Sequence, residues 1–141
     1  MANNLSIFGF VLLAVHFNAV LGSDPPGSNP CTWGPAYWCD SIANAVKCNI
    51  PQYCVENDWL NLNAVPCPGC ENAIQNIKNH LDSQNIKSII YKECMAIAHD
   101  PNICNGLAHK NNAAFLDVLN SPNISAGAIC QISGLCPKTD G

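Results

Sequence analysis

Cys67-Pro68-Gly69-Cys70 and the histidines His80, His99 and His109 are the residues of this chain whose types and spacing could carry chemistry. A C-x-x-C pair serves thiol–disulfide exchange at a strand-to-helix junction, or zinc when a second pair of Cys or His completes four ligands. Neither context is visible. No strand–helix–strand pattern surrounds the pair, and no second C-x-x-C or His pair has metal spacing. The histidines could serve as a base, as metal ligands or as pH sensors, yet no Gly-x-Ser-x-Gly elbow and no His-Glu-x-x-His accompanies them. Catalytic residues, metal and cofactor are therefore all assigned as none. The histidines are left as exposed helix-surface groups whose protonation between about pH 7 and 5 adds up to three positive charges. Asn123-Ile124-Ser125 is a glycosylation acceptor in a turn.

Composition fixes the setting of this chemistry. Ten of 141 residues are Cys, a density common in small exported domains and unusual in a reducing cytosol. Residues 5–22 read LSIFGFVLLAVHFNAVLG, an apolar run ending in small residues, which predicts a signal peptide over residues 1–22. His16 and Asn18 interrupt the run, and it barely reaches the length needed to span a bilayer. All ten Cys follow it, an even set suited to five disulfides and to structural rather than redox use. The chain has six Lys, no Arg and a net charge of −4, which argues against nucleic acid as a partner. The same balance argues against attack on anionic bilayers by charge alone. No second apolar run of spanning length follows, so the expected product is soluble and secreted or lysosomal.

The elements that must position these residues fall into two cysteine clusters. Cys31, Cys39, Cys48 and Cys54 form the first, and Cys67, Cys70, Cys94, Cys104, Cys130 and Cys136 the second. Residues 23–30 (SDPPGSNP) read as a flexible leader, and the cysteine-free stretch from Glu56 to Pro66 as a boundary. The division expected is a first module over 29–62, a second over 63–137 and a tail over 138–141. Leader and first module together carry one Lys against four acids, and the second module with the tail five Lys against six, so the latter is net −1. In the second module Ile74, Ile77 and Leu81 share a face of a helix over 71–83, and Ile86, Ile89, Ile90 and Ile97 continue the stripe over 87–99. Asp100-Pro101 starts another helix as N-cap and N1. Phe115, Val118 and Leu119 line a helix over 112–120, and Ile129 and Ile132 one over 125–135. No convincing strand pattern appears. The fold class is all-α: four or five short amphipathic helices stapled by disulfides, preceded by a small four-Cys helical module.

The second cluster spaces its cysteines C-x2-C-x23-C-x9-C-x25-C-x5-C, with amphipathic helices between them. In this it resembles the saposin-like family, in its B-type domain. The first reads Cys31-Thr-Trp-Gly-Pro-Ala-Tyr-Trp-Cys39 followed by Cys48 and Cys54, which resembles a saposin A-type domain. An A-type module ahead of a B-type module is similar to the front end of prosaposin-type precursors. The resemblance implies nested B-type bridges: Cys67–Cys136, Cys70–Cys130 and Cys94–Cys104. Pairing within Cys31, Cys39, Cys48 and Cys54 stays open. A helix over 37–47 would disfavour Cys39–Cys48 by holding the two about 13 Å apart.

Function follows from the resemblance as an expectation. Saposin B-type domains open like a clasp and bury lipid tails. The corresponding surface here is Ile74, Ile77, Leu81, Ile86, Ile89, Ile90, Phe115, Val118, Leu119, Ile129 and Ile132, some of which must also serve as core. The expected protein is a non-enzyme that binds, extracts or presents membrane (sphingo)lipids and assists their hydrolysis in an endolysosomal or secreted setting. Membrane lipids are its expected partners; a lysosomal lipid hydrolase and a homodimer are further partners the resemblance admits. The alternative is a membrane-permeabilising defence protein of the amoebapore and NK-lysin kind.

Overall fold

A computed structural model describes residues 27–136. The expected signal peptide over 1–22 and tail over 138–141 lie outside the described residues, as does the leader up to residue 26. Among the described residues there are eight α-helices and no strand. Proline at the first helical position starts four of them, where its missing N–H would have no intrahelical partner and its fixed φ already suits the helix.

Gly27–Thr32 belongs to one compact unit and Trp33–Cys136 to another. In the first, Asn29 organises a 3₁₀ turn over Pro30–Thr32. Its Oδ1 accepts from the Cys31 N–H at 3.0 Å and its carbonyl from Thr32 Oγ1 at 2.7 Å.

The second unit begins with α1 (Pro35–Trp38), α2 (Ile42–Lys47) and α3 (Pro51–Asn57), then a 3₁₀ turn over Trp59–Asn61. The chain over 37–47 is not one continuous helix, the condition under which Cys39–Cys48 is disfavoured. Ser41 is extended, and its side chain accepts from the Asn44 N–H at 3.1 Å, so it caps a new helix. Cys39 pairs with Cys54 at a Cα separation of 5.3 Å, tying α3 back to the end of α1. Cys48, the C-cap of α2, is also in a disulfide. Trp59 is buried, and its Nε1–H donates to the Cys39 carbonyl at 2.8 Å.

Five helices follow: α4 (Pro68–Lys78), α5 (Ile86–Ala98), α6 (Pro101–Asn105), α7 (Asn112–Asn120) and α8 (Ala126–Ser133). A π-helical turn over Gly106–Lys110 connects α6 to α7. Asp100 caps α6, accepting from the Asn102 N–H at 2.9 Å, and Ser125 caps α8, accepting from the Ala128 N–H at 3.1 Å. The first of these helices stops at Lys78 rather than near residue 83, leaving Leu81 in a half-buried turn. α8 ends at Ser133 because Gly134 takes the left-handed conformation, φ 77°.

Core packing runs through the whole second unit. α4 lies along α8, α5 along α4 and α6, and α2 against α7 and α8. Ile42, Ala45 and Trp59 belong to the same buried cluster as Ile74, Phe115 and Ile129.

Candidate functional site

Three disulfides frame the helices from α4 onward. Cys67, the N-cap of α4, pairs with Cys136 beyond α8, and Cys70 pairs with Cys130, at Cα separations of 6.3 and 6.0 Å. The bridges staple the start of α4 to the middle of α8 and to the segment that follows it. Cys94 on α5 pairs with Cys104 on α6 at 5.5 Å and closes the turn at His99-Asp100. Among the described residues no bridge crosses from the α4–α8 pair to the α5–α6 pair. The two pairs meet through apolar packing and one polar contact, in which Asn76 Nδ2–H donates to Glu93 Oε1 at 2.8 Å.

The apolar residues expected to face lipid belong to one cluster, contributed by α4 and the turn after it, α5, α7 and α8. Ile74, Ile77, Ile90, Phe115, Val118, Leu119, Ile129 and Ile132 are buried. Leu81, Ile86 and Ile89 are half-buried and packed against the same cluster. The arrangement is therefore a closed apolar interior held covalently along two edges and non-covalently along the seam. The buried polar groups in it are internally paired: the Ser133 hydroxyl donates to the Ile129 carbonyl, and Asn112 Nδ2–H to the Leu107 carbonyl at 3.4 Å. No buried polar side-chain atom among the described residues lacks a hydrogen-bond partner.

The expected polar sites lie on the outside. His80, His99 and His109 are exposed, on α4's trailing turn, at the C-cap of α5 and in the π-helical turn. They belong to separate segments of the chain. His80 Nδ1 lies 2.7 Å from the Asn76 carbonyl, which can only accept, so that nitrogen carries the proton. His99 is left-handed, φ 53°, ending α5 where glycine is the usual choice. Asn123 is exposed in the turn before α8, with Ile124 buried behind it. The sulfurs of Cys67, Cys70 and Cys136 lie within 4.8 Å of one another, but all three are in disulfides and offer no thiolate to a metal.

Several structural residues carry no clear signal in the sequence. Trp59 stands in what reads as a connecting stretch, yet it is 1% exposed. Leu107 and Ala108 are buried on a π-helical turn whose spacing matches neither a 3.6-residue nor a 2-residue period. Gly127 is placed by close approach: a Cβ there would lie 3.1 Å from Glu71 Oε1 and 3.3 Å from the Ala64 Cβ. The signal that could have found Trp59 is its size alone, since a large aromatic seldom stays exposed in a small domain.

Comparison with known proteins adds the following. The family model of the saposin A-type domain matches residues 28–60. Prosaposin from Gallus gallus is 22% identical over 114 residues, covering 75% of this chain and 22% of that protein. Prosaposin from Mus musculus is 39% identical over 33 residues, which are 23% of this chain and 6% of that protein. The chain thus spans 22% or less of the length of these curated relatives. No solved structure matches.

Proposed function

We propose, from the premise that this is a saposin-like chain of the prosaposin type, that it is a non-enzymatic lipid-binding protein. Residues 29–62 form its A-type module and residues 63–137 a B-type domain that receives the lipid. One observation carries the reading. The disulfides staple α4 to α8 and α5 to α6 but leave the apolar seam between the pairs free of covalent links. Such a body can part along the seam while each half keeps its helices, and its buried Ile, Leu, Val and Phe side chains then meet acyl chains instead of one another. Lipid extracted this way is shielded from water and can be presented to a hydrolase acting on (sphingo)lipids in an endolysosomal or secreted space.

Within this reading Asn123 is a glycan acceptor, since it is exposed and stands in a turn. Among the described residues no helix is long and apolar enough to cross a membrane. The test is native mass spectrometry of the purified protein together with lipid transfer between vesicles. Bound two-chain lipid, and transfer at protein levels that cause little dye leakage, is the expected result. Rapid leakage from anionic vesicles at pH 7 in place of transfer would replace this reading with a membrane-permeabilising one.

A further inference from the structure

A surface groove of about 580 Å³ lies between the N-terminal turn of α5 and the segment Asn105–His109. Its lining combines the Lys87 ammonium, the His109 imidazole, the Ser88 and Tyr91 hydroxyls and the Asn105 amide. None of its lining residues is an acid, in a chain with ten acids against six Lys. None of these five side chains has a hydrogen-bond or ion-pair partner among the described residues. Ile86 connects the groove to the interior, because it lines the groove and also packs, half-buried, against the core. The groove therefore sits beside the turn joining α4 to α5, at one end of the seam.

We infer that this groove is the headgroup site of a bound lipid and that it selects a net-anionic phosphate headgroup, its acyl chains passing Ile86 into the parted seam. The inference rests on the lipid-binding reading above and names the class of lipid. Chemistry favours an anion over a neutral sugar. The phosphate oxygens only accept, and the lining offers one fixed cation and several donors. A neutral sugar could use the amide oxygens of Gln84, Asn85 and Asn105 but would leave the Lys87 charge unmatched, and no carboxylate in the lining balances it.

The experiment incubates the full chain with vesicles of phosphatidylcholine mixed with phosphatidylglycerol and reads the ratio of the two lipids bound by native mass spectrometry. Wild type should be enriched in phosphatidylglycerol. Lys87→Gln should lower that ratio about fivefold, the factor one cation is worth beside an anionic surface. Ser88→Ala should lower it by a smaller factor, while Lys92→Gln, exposed on the same helix outside the groove, should leave it unchanged. Both Lys87 and Ser88 are exposed, so neither replacement disturbs the core. Equal effects of Lys87→Gln and Lys92→Gln would show diffuse surface charge and overturn the site. Bound lipid with no preference for phosphatidylglycerol, or absence of any bound phospholipid, would overturn the groove, and only absence of every lipid, sphingolipids included, would overturn the lipid-binding reading as well. A separate arm adds inorganic phosphate without vesicles. Shifts of the Ser88 and His109 amide resonances matching those from phosphatidylglycerol at equal concentration would assign the groove to a free anion and overturn the lipid site.

Discussion

A lipid with two long acyl chains should bind this protein, and a short-chain lipid with the same headgroup should not. The reason is the energy of parting the seam. Ile74, Ile77, Ile90, Phe115, Val118, Leu119, Ile129 and Ile132 are all at most 3% exposed. Returning one such side chain to water costs about 1.5–3 kcal/mol, so exposing all eight would cost about 12–24 kcal/mol. That matches or exceeds the roughly 5–15 kcal/mol by which whole domains are stable. In water the open form is therefore unpopulated, and opening must be coupled to lipid entry. Acyl chains lying on the parted faces keep them from water, and at about 0.8 kcal/mol per methylene-sized contact about 15–30 methylenes are needed to offset the full cost. The two chains of a dipalmitoyl lipid carry that many; those of a dihexanoyl lipid carry far fewer. Calorimetry with dihexanoyl lipid below its micellar concentration, beside native mass spectrometry after incubation with dipalmitoyl vesicles, makes the comparison. The lipid-free protein should also leave 1-anilinonaphthalene-8-sulfonate fluorescence unenhanced. Tight stoichiometric binding of the dihexanoyl lipid, or strong dye binding without lipid, would refute the closed-interior argument.

Three further outcomes follow from particular residues. Trp59→Phe removes the donor to the buried Cys39 carbonyl and should cost at least about 1–3 kcal/mol in urea denaturation. Replacing Trp59 with the sulfur isostere benzothienylalanine should lose most of the same amount, since it keeps the shape and removes only the N–H. His99→Gly places the unstrained residue at a φ of 53° and should raise stability by about 0.5–1 kcal/mol, read as a higher Tm. Replacing the exposed His80, His99 and His109 together with Gln should leave the helical circular dichroism intact, since none of the three is part of the core.

Local rules made much of the fold readable. Asp100-Pro101 and Ser125 announce helix starts through groups the backbone needs, and both act as caps with the expected hydrogen bonds. Periodicity located α5 and α7 because their apolar residues repeat at helical spacing over more than two turns. It gives no reading at Cys39–Ser41, where a tertiary bridge and a serine cap separate two short helices. It also passed over the π-helical turn, whose wider spacing hides the buried pair Leu107 and Ala108. The apolar face was legible as a set, but its distribution between buried and half-buried positions depends on which helices meet. The groove was not legible at all. Its side chains come from the start of α5 and from Asn105–His109, and nothing in either stretch alone brings them together.

The span of the disulfides along the chain imposes an order of events at birth. Cys94–Cys104 and Cys39–Cys54 close loops of 10 and 15 residues, and each can form as soon as its short segment emerges. Cys70 and Cys67 must wait for partners 60 and 69 residues later. At about 5–20 residues per second that delay lasts roughly 3–14 seconds. Throughout it two thiols stand three positions apart, while Cys94 and Cys104 come and go as alternative partners. Correct maturation therefore depends on the short Cys94–Cys104 loop closing ahead of its competitors and on catalysed exchange until Cys130 and Cys136 arrive. A ribosome stalled before Cys130 would display a chain with an α5–α6 staple already made and Cys67 and Cys70 still without their partners.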